Sequence, residues 1–314
     1  MSLSVLGMDI SSYQQVLDIK QIDPAVKIVI LKASQGIFTD TKLITNGKIL
    51  ADAGKTLAAY VWPCPDLPPS ASIGPAAAAF AKAGLPLTSV FLDTEQYRSD
   101  AGVQLHPDAI SEHARQTYLM AKQAWGRVGV YTNRMFIMSW APDMSKWLSA
   151  YQVPLWLAEY RIEPSCHTLL GWSDLLKIWL PNYMPTLPAE CVVGQVVGHQ
   201  FSGDRFCLPG VYANAQLVRS PLDVNMFDPA YFVGKLTSSP TSDAAPAQIA
   251  SIWQCTIPLL NIRSGPSTNY SIIGTLKLGD RKQVALVENG WCHFVGEGWS
   301  FANYMKQVSG PKVS

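Results

Sequence analysis

An α/β chain folded as an irregular (β/α) barrel of the TIM type, followed by a small all-β domain, is the architecture the sequence predicts. Three observations predict it. Short β-rich runs alternate with helical stretches through the first three quarters of the chain. The runs number about eight, enough to close a barrel. The stretch Thr237-Ser238-Ser239-Pro240-Thr241-Ser242-Asp243-Ala244-Ala245-Pro246-Ala247-Gln248 is small, polar and Pro-containing, as a linker is. Beyond it, short strands broken by Gly and Pro suit a small β-barrel. The boundaries that follow are 1–235 for the large domain, 236–250 for the linker and 251–314 for the tail.

The expected strands are Val5–Ile10, Lys27–Ala33, Leu57–Trp62, Ser89–Thr94, Arg127–Tyr131, Pro154–Glu159, Gly194–Phe201 and Leu222–Met226. Helices are expected over Thr41–Ala53, Pro75–Ala83, Pro107–Trp125 and Pro142–Ala150. The third has the firmest basis: Pro107 suits a first turn, and Ile110, Ala114, Thr117, Tyr118, Ala121 and Ala124 keep a helical stripe. Residues 161–193 read as a long insertion rich in Trp and Leu (Trp172, Leu175, Leu176, Trp179, Leu180), to which the sequence assigns no role.

The chemistry-bearing stretch is Ser89-Val90-Phe91-Leu92-Asp93-Thr94-Glu95, an apolar strand ending in two carboxylates spaced i, i+2. Side chains two apart on a strand share a face, so Asp93 and Glu95 should converge above Phe91. Crowded acids repel, which raises a pKa and suits acid/base work. The same pair also suits an ordinary solvated strand end. What adds weight is recurrence: strand after strand ends in a polar or aromatic residue, namely Asp9, Lys32, Tyr60 with Trp62, Asp93 with Glu95, Tyr131, Trp156 with Tyr160, Gln200, and Asp223. In a barrel, C-terminal strand ends build the active site. Converging carboxylates with aromatic faces are the make-up of a sugar-cleaving cleft, although Trp156, Tyr60 and Tyr131 suit core packing equally well.

Composition narrows the partners. A formal net charge of +1 argues against a nucleic-acid binder. Residues 251–314 carry six Lys/Arg against three acids, a mildly cationic tail, while the remainder is −2. The start has no basic n-region and no long apolar run, so no ordinary secretory signal is expected. No stretch reaches the roughly 18 apolar residues of a membrane span. Six cysteines without C-x-x-C spacing and five histidines without H-E-x-x-H predict free buried thiols and no metal or other cofactor.

With these residues in place, the chain resembles glycoside hydrolase family 25, the Chalaropsis-type muramidases, over roughly residues 5–232. Gly7-Met8-Asp9-Ile10-Ser11-Ser12-Tyr13-Gln14 is similar to that family's opening G-x-D-x-S-x-[WY]-Q, and Lys32-Ala33-Ser34-Gln35-Gly36 to its K-A-[ST]-E-G. Asp93-Thr94-Glu95 matches D-x-E. Tyr131-Thr132, Pro154-Leu155-Trp156-Leu157-Ala158-Glu159-Tyr160, Gln200-Phe201-Ser202 and Asp223-Val224-Asn225 follow in the family's order. The tail resembles a bacterial SH3-like cell-wall-binding domain through Leu260-Asn261-Ile262-Arg263-Ser264-Gly265-Pro266-Ser267 and the Gly290-Trp291 and Gly298-Trp299 pairs. Departures are Gln35 in place of Glu, His199 and Phe201 around Gln200, and the run Val61-Trp62-Pro63-Cys64-Pro65.

The resemblance implies cleavage of the β-1,4 bond between N-acetylmuramic acid and N-acetylglucosamine in peptidoglycan glycan strands. It implies Glu95 as general acid, Asp93 as the group that orients the substrate's acetamido, and Asp9 and Asp223 as ligands of sugar hydroxyls or water. Lys32, Tyr60, Trp62, Tyr131, Trp156, Tyr160 and Gln200 would line the substrate, and the tail would grip the wall. A wall-directed enzyme without a secretory signal fits a phage product, reaching the wall from the host cytoplasm through a holin or carried in the virion. In a virion, the 161–193 insertion could dock other components. A retaining route through the acetamido and an inverting one, with Asp9 or Asp223 activating water, both stay open. The competing readings are a catalytically silent wall-binding or virion structural protein that keeps the barrel, motivated by Gln35 and the changed neighbours of Gln200, and a chitinase-like enzyme on another acetamido sugar polymer, against which the single D-x-E speaks.

Overall fold

The computed structural model describes residues 3–99, 102–160, 167–178, 184–236, 251–288, 290–294 and 298–309. Eight strands form the barrel: β1 (Val5–Ile10), β2 (Val26–Gln35), β3 (Thr56–Trp62), β4 (Leu87–Asp93), β5 (Val128–Thr132), β6 (Leu155–Ala158), β7 (Val196–Tyr212) and β8 (Arg219–Phe227). Consecutive strands from β1 to β7 pair in parallel. The last strand breaks the pattern. β8 turns back as a hairpin from β7 and closes the ring against β1, antiparallel on both sides. Around the ring lie α1 (Leu43–Asp52), α2 (Pro69–Ala83), α3 (Pro107–Trp125), α4 (Arg134–Trp140), α5 (Met144–Ala150) and α6 (Trp172–Ile178).

Burial on both faces explains why the parallel strands read as continuous apolar runs. β4 is buried at all seven positions. Outward residues such as Val29, Leu31, Val90 and Leu92 join the layer under the helices. Inward residues Ile28, Ile30, Ala58, Phe91, Tyr131, Trp156, Val197 and Phe227 fill the barrel, with Phe232 beside them. Glycines make room for these large rings. A Cβ on Gly198 would stand 2.7 Å from Phe227 Cε1 and 2.8 Å from Trp156 Cδ1, and one on Gly129 would stand 2.6 Å from Phe91 Cε1. Both ends of each contact are packed, so overpacking has nowhere to relax. Gly198→Ala is therefore expected to destabilise the protein by about 1–3 kcal/mol, read as a lower denaturant midpoint at unchanged slope.

The expected elements shift where turn chemistry outranks periodicity. α2 opens at Pro69, six residues before the expected Pro75, which instead sits inside the helix. α4 was not expected; the Asn133 side chain caps it by accepting from the Phe136 amide at 2.7 Å. α5 begins at Met144 rather than Pro142. β7 runs to Tyr212, well past Phe201, because it bulges at three places yet keeps its pairing with β8.

The described part of the insertion packs on this extended hairpin. Thr168–Leu169 pairs with Phe206–Cys207, and the Trp172 indole donates to the carbonyls of Gln21 and Pro209. Cys166, Trp179, Leu180 and, of the linker expected at 236–250, all but residue 236 lie outside the described residues. Among the described cysteines, all five are free and buried. No helix among the described residues is long and apolar enough to cross a membrane.

The tail is a seven-stranded antiparallel unit: β9 (Ser251–Cys255), β10 (Leu259–Arg263), β11 (Ile272–Lys277), β12 (Arg281–Glu288), β13 (Trp291–Phe294), β14 (Gly298–Phe301) and β15 (Met305–Ser309), in the order β11-β10-β14-β13-β12-β9-β15. Its core holds Cys255, Leu260, Ile262, Leu276, Val284, Cys292, Phe294 and Met305.

Candidate active site

At the C-terminal end of the parallel strands the barrel opens into a cavity of about 780 Å³. All eleven predicted site residues line it: Asp9, Lys32, Tyr60, Trp62, Asp93, Glu95, Tyr131, Trp156, Tyr160, Gln200 and Asp223. Most arrive as expected, from strand ends. Asp223 and Gln200 do not. Asp223 lies in the middle of the antiparallel β8 and Gln200 in the lower part of β7. The reversal of β8 places Asp223 directly opposite Asp9 in the β1–β8 register, so both side chains share the inner face.

A hydrogen-bond network fixes Asp9. Asn225 Nδ2 donates to Asp9 Oδ2 at 2.8 Å, and Gln200 Nε2 donates to the same oxygen at 3.0 Å. The donors behind them set both amides. The Trp156 indole, which can only donate, reaches Asn225 Oδ1 at 2.8 Å. Tyr131 donates its hydroxyl to Gln200 Oε1 at 2.7 Å, and Tyr160 donates to the same atom. With both amide oxygens occupied, both NH2 groups must face Asp9. Trp156 and Tyr131, at 2% and 6% exposure, therefore form the floor and the support of this network rather than stacking platforms. Tyr60, Trp62 and Tyr160 are half-buried or exposed on the walls.

The carboxylates are crowded and largely dry, and all four are harder to ionise than in water. Burial is the first cause in each case. Asp9 is pushed up to about 6, its amide partners only partly offsetting the burial. Asp93 is raised well above its usual range by burial and then by Glu95, with Lys32 opposing. Glu95 is raised by burial and by Asp9. Asp223 is raised by burial, Asp9 and Asp204, against the amide of Asp204, which donates to Asp223 Oδ1 at 2.7 Å. One atom stands out: Asp93 Oδ1 is buried and has no hydrogen-bond partner among the described residues.

Lys32 supplies a cation on the wall. Its Nζ lies 5.1 Å from the Trp62 ring centre and 5.8 Å from that of Tyr60, and donates to Gln35 Oε1 at 2.8 Å. Burial lowers its pKa, while Asp93, Asp40 and Glu95 hold its proton. Gln35 itself is exposed and does not line the cavity. His199 and Phe201 alternate with Gln200 along β7 and face away from the cavity; His199 Nε2 lies 3.0 Å from the Glu159 carbonyl. The departures around Gln200 thus leave the cavity wall unaltered.

Sequence reasoning misses one residue beneath the cavity and several that line it. Asn225, in the D-x-N pattern, shares a face with Asp223 by its spacing, but it is fully buried and holds Asp9 from beneath rather than lining the cavity. Tyr13, Asp204, Arg205 and His167 reach the cavity itself. His167 comes from the insertion, for which the sequence offered no signal.

An end-of-barrel cleft lined by raised carboxylates and aromatic rings is the equipment of an acid-catalysed hydrolase. Comparisons with known proteins agree. Residues 8–201 match the family model of glycosyl hydrolases family 25, and residues 258–306 match that of the bacterial SH3 domain. The chain belongs to glycosyl hydrolases family 25, and carries a bacterial SH3-like tail. No curated protein matches it. Among solved structures, it is similar to the bacterial lysozyme from Streptomyces coelicolor, with 19% identity, a TM-score of 0.52, and coverage of 72% of this chain and 92% of that one. It is similar to the catalytic domain of an endolysin from bacteriophage P40 of Listeria monocytogenes (17% identity, TM-score 0.50, 74% and 96% coverage). It is also similar to a muramidase from Acremonium alcalophilum (19%, 0.50, 71% and 93%). At these identities the likeness is one of fold.

Proposed function

We propose that the barrel hydrolyses the β-1,4 bond between N-acetylmuramic acid and N-acetylglucosamine in peptidoglycan, with Glu95 as general acid and Asp93 as the partner of the substrate's acetamido group. The observation that carries this reading is the pairing of Asp93 and Glu95 in one acidic cavity, each harder to ionise than in water. A substrate amide N–H that met the Asp93 carboxylate would favour its ionised form. The proton of the crowded pair then belongs on Glu95, the more accessible of the two. Glu95 donates it to the leaving glycosidic oxygen as positive charge develops at the anomeric carbon. The acetamido oxygen, oriented by Asp93, attacks that carbon to form a cyclic intermediate with retained geometry on hydrolysis, an exception to the two-carboxylate scheme. Glu95, now ionised, takes a proton from the incoming water.

Two outcomes test the reading. Purified peptidoglycan should release soluble fragments, while chitin oligomers, which carry the acetamido but lack the lactyl group, should be cut far more slowly. Glycan stripped of its N-acetyl groups should resist cleavage, since the internal nucleophile is gone; equal rates on both glycans would contradict the acetamido route and favour water activated by Asp9 or Asp223. The SH3-like tail is proposed to hold the enzyme on the wall, its linker supplying avidity. A phage lysin is the setting proposed, supported by the fold shared with a phage endolysin domain.

A further inference from the structure

β7 carries a bulge at the edge of the cavity. Ser202 pairs with Val224 and Phe206 with Leu222, so three residues of β7, Gly203-Asp204-Arg205, stand opposite the single residue Asp223. Asp204 takes a left-handed backbone, φ +49°, unusual for any residue other than glycine and best tolerated by Asn and Asp. That turn aims its amide at Asp223 Oδ1, 2.7 Å away. Gly203 opens the other direction. A Cβ there would stand 2.6 Å from the Tyr160 hydroxyl, the group that donates to Gln200 Oε1, and Gln200 in turn donates to Asp9 Oδ2 at 3.0 Å. One three-residue bulge thus reaches both members of the facing Asp9–Asp223 pair, by the Asp204 amide on one side and by Tyr160 and Gln200 on the other.

We propose that the Gly203-Asp204-Arg205 bulge is a positioning device for the Asp9–Asp223 pair, with Asp204 acting through its left-handed backbone amide rather than through its side chain. Backbone strain held at a functional site in this way is a recurrent arrangement. The inference rests on the glycan-cleaving reading above. The alternative is a bulge that only bends the strand, which would leave turnover indifferent to the backbone conformation at residue 204.

Three substitutions separate backbone from charge. Asp204→Asn, Asp204→Gly and Asp204→Val all remove the carboxylate, but only Val, β-branched, resists a positive φ. Asp204→Val is expected to lose at least about tenfold in kcat with KM changed much less, the signature of an interaction that serves the reacting state. Asp204→Asn and Asp204→Gly should recover most of that loss. Gly203→Ala, which drives into Tyr160, should lower kcat in the same manner. A thermal melt accompanies each variant; if Asp204→Val does not fold, Asp204→Ala replaces it, since alanine also disfavours the turn. Two results would overturn the proposal: Asn and Gly variants as impaired as Val, which would make the side chain the agent, or a Val variant as active as the wild type. A wild type that cuts no glycan would instead overturn the proposed function, so the two failures are distinguishable.

Discussion

Glu95→Gln should abolish glycan cleavage, lowering kcat by about three orders of magnitude, within the range a positioned proton donor contributes, while leaving the protein folded and bound to peptidoglycan. The substitution is nearly isosteric and keeps the neutral form's shape, so the loss reports the proton and nothing else. Glu95 sits at the cavity wall with its pKa raised by burial and by Asp9, which keeps it protonated further toward neutrality than a solvated glutamate. The direction of the pH–rate profile follows. Activity should fall as pH rises through the raised value of Glu95, because the acid form is the competent one. Melting should not suffer, since the variant removes a carboxylate that burial already disfavours in its ionised state. Cleavage within about tenfold of the wild type would remove Glu95 from the acid role.

Asp9→Asn should make the protein more stable at neutral pH and less active. Asp9 has its pKa raised from 3.8 to about 6 in the folded state. Between those values the native state binds more protons than the unfolded state, so stability falls as pH rises through that window. The cost is absent below about 3.8 and complete above about 6. An asparagine at this position keeps an oxygen for the amides of Asn225 and Gln200 and carries no charge to desolvate. The expected result is a melting temperature above that of the wild type at pH 7, with the difference vanishing near pH 4. A variant less stable than the wild type at pH 7 would show that the ionised Asp9 is held favourably. Asp93, Glu95 and Asp223 are raised in the same direction and add to the loss of stability as pH rises, whereas the buried His113 and His293, lowered to about 4, act the other way as pH falls below 6.5.

The parallel half of the barrel was legible because its strands are buried on both faces and end in polar residues: β1 to β6 each appear in the sequence within a few residues of their ends. The direction of β8 was not. Leu222–Met226 reads as an apolar strand whichever way it runs, and only the pairing with β1 shows that Asp223 faces Asp9 across an antiparallel register. The extension of β7 was hidden for a related reason. Gly203, Pro209 and Gly210 read as the end of a strand, yet they mark bulges that the hairpin absorbs. The candidate lining residues reach the cavity because, within each strand, alternation puts the polar residue on the face of the inward apolar ones, as Asp93 stands above Phe91. What alternation could not separate was support from surface. Trp156 and Tyr131 have the chemistry of sugar platforms, and only their burial under Asn225 and Gln200 shows them to be the scaffold of Asp9. Gln35 carried the strongest hint of a silent enzyme; its exposed position beside Lys32, outside the cavity, weakens that hint.

The most direct test is to digest purified peptidoglycan with the full chain, reduce the products with borohydride and identify the reduced terminal sugar by mass spectrometry. The account predicts reduced N-acetylmuramic acid at the new ends from the wild type and none from Glu95→Gln. Reduced N-acetylglucosamine, or no new ends from a protein that still sediments with the wall, would contradict it.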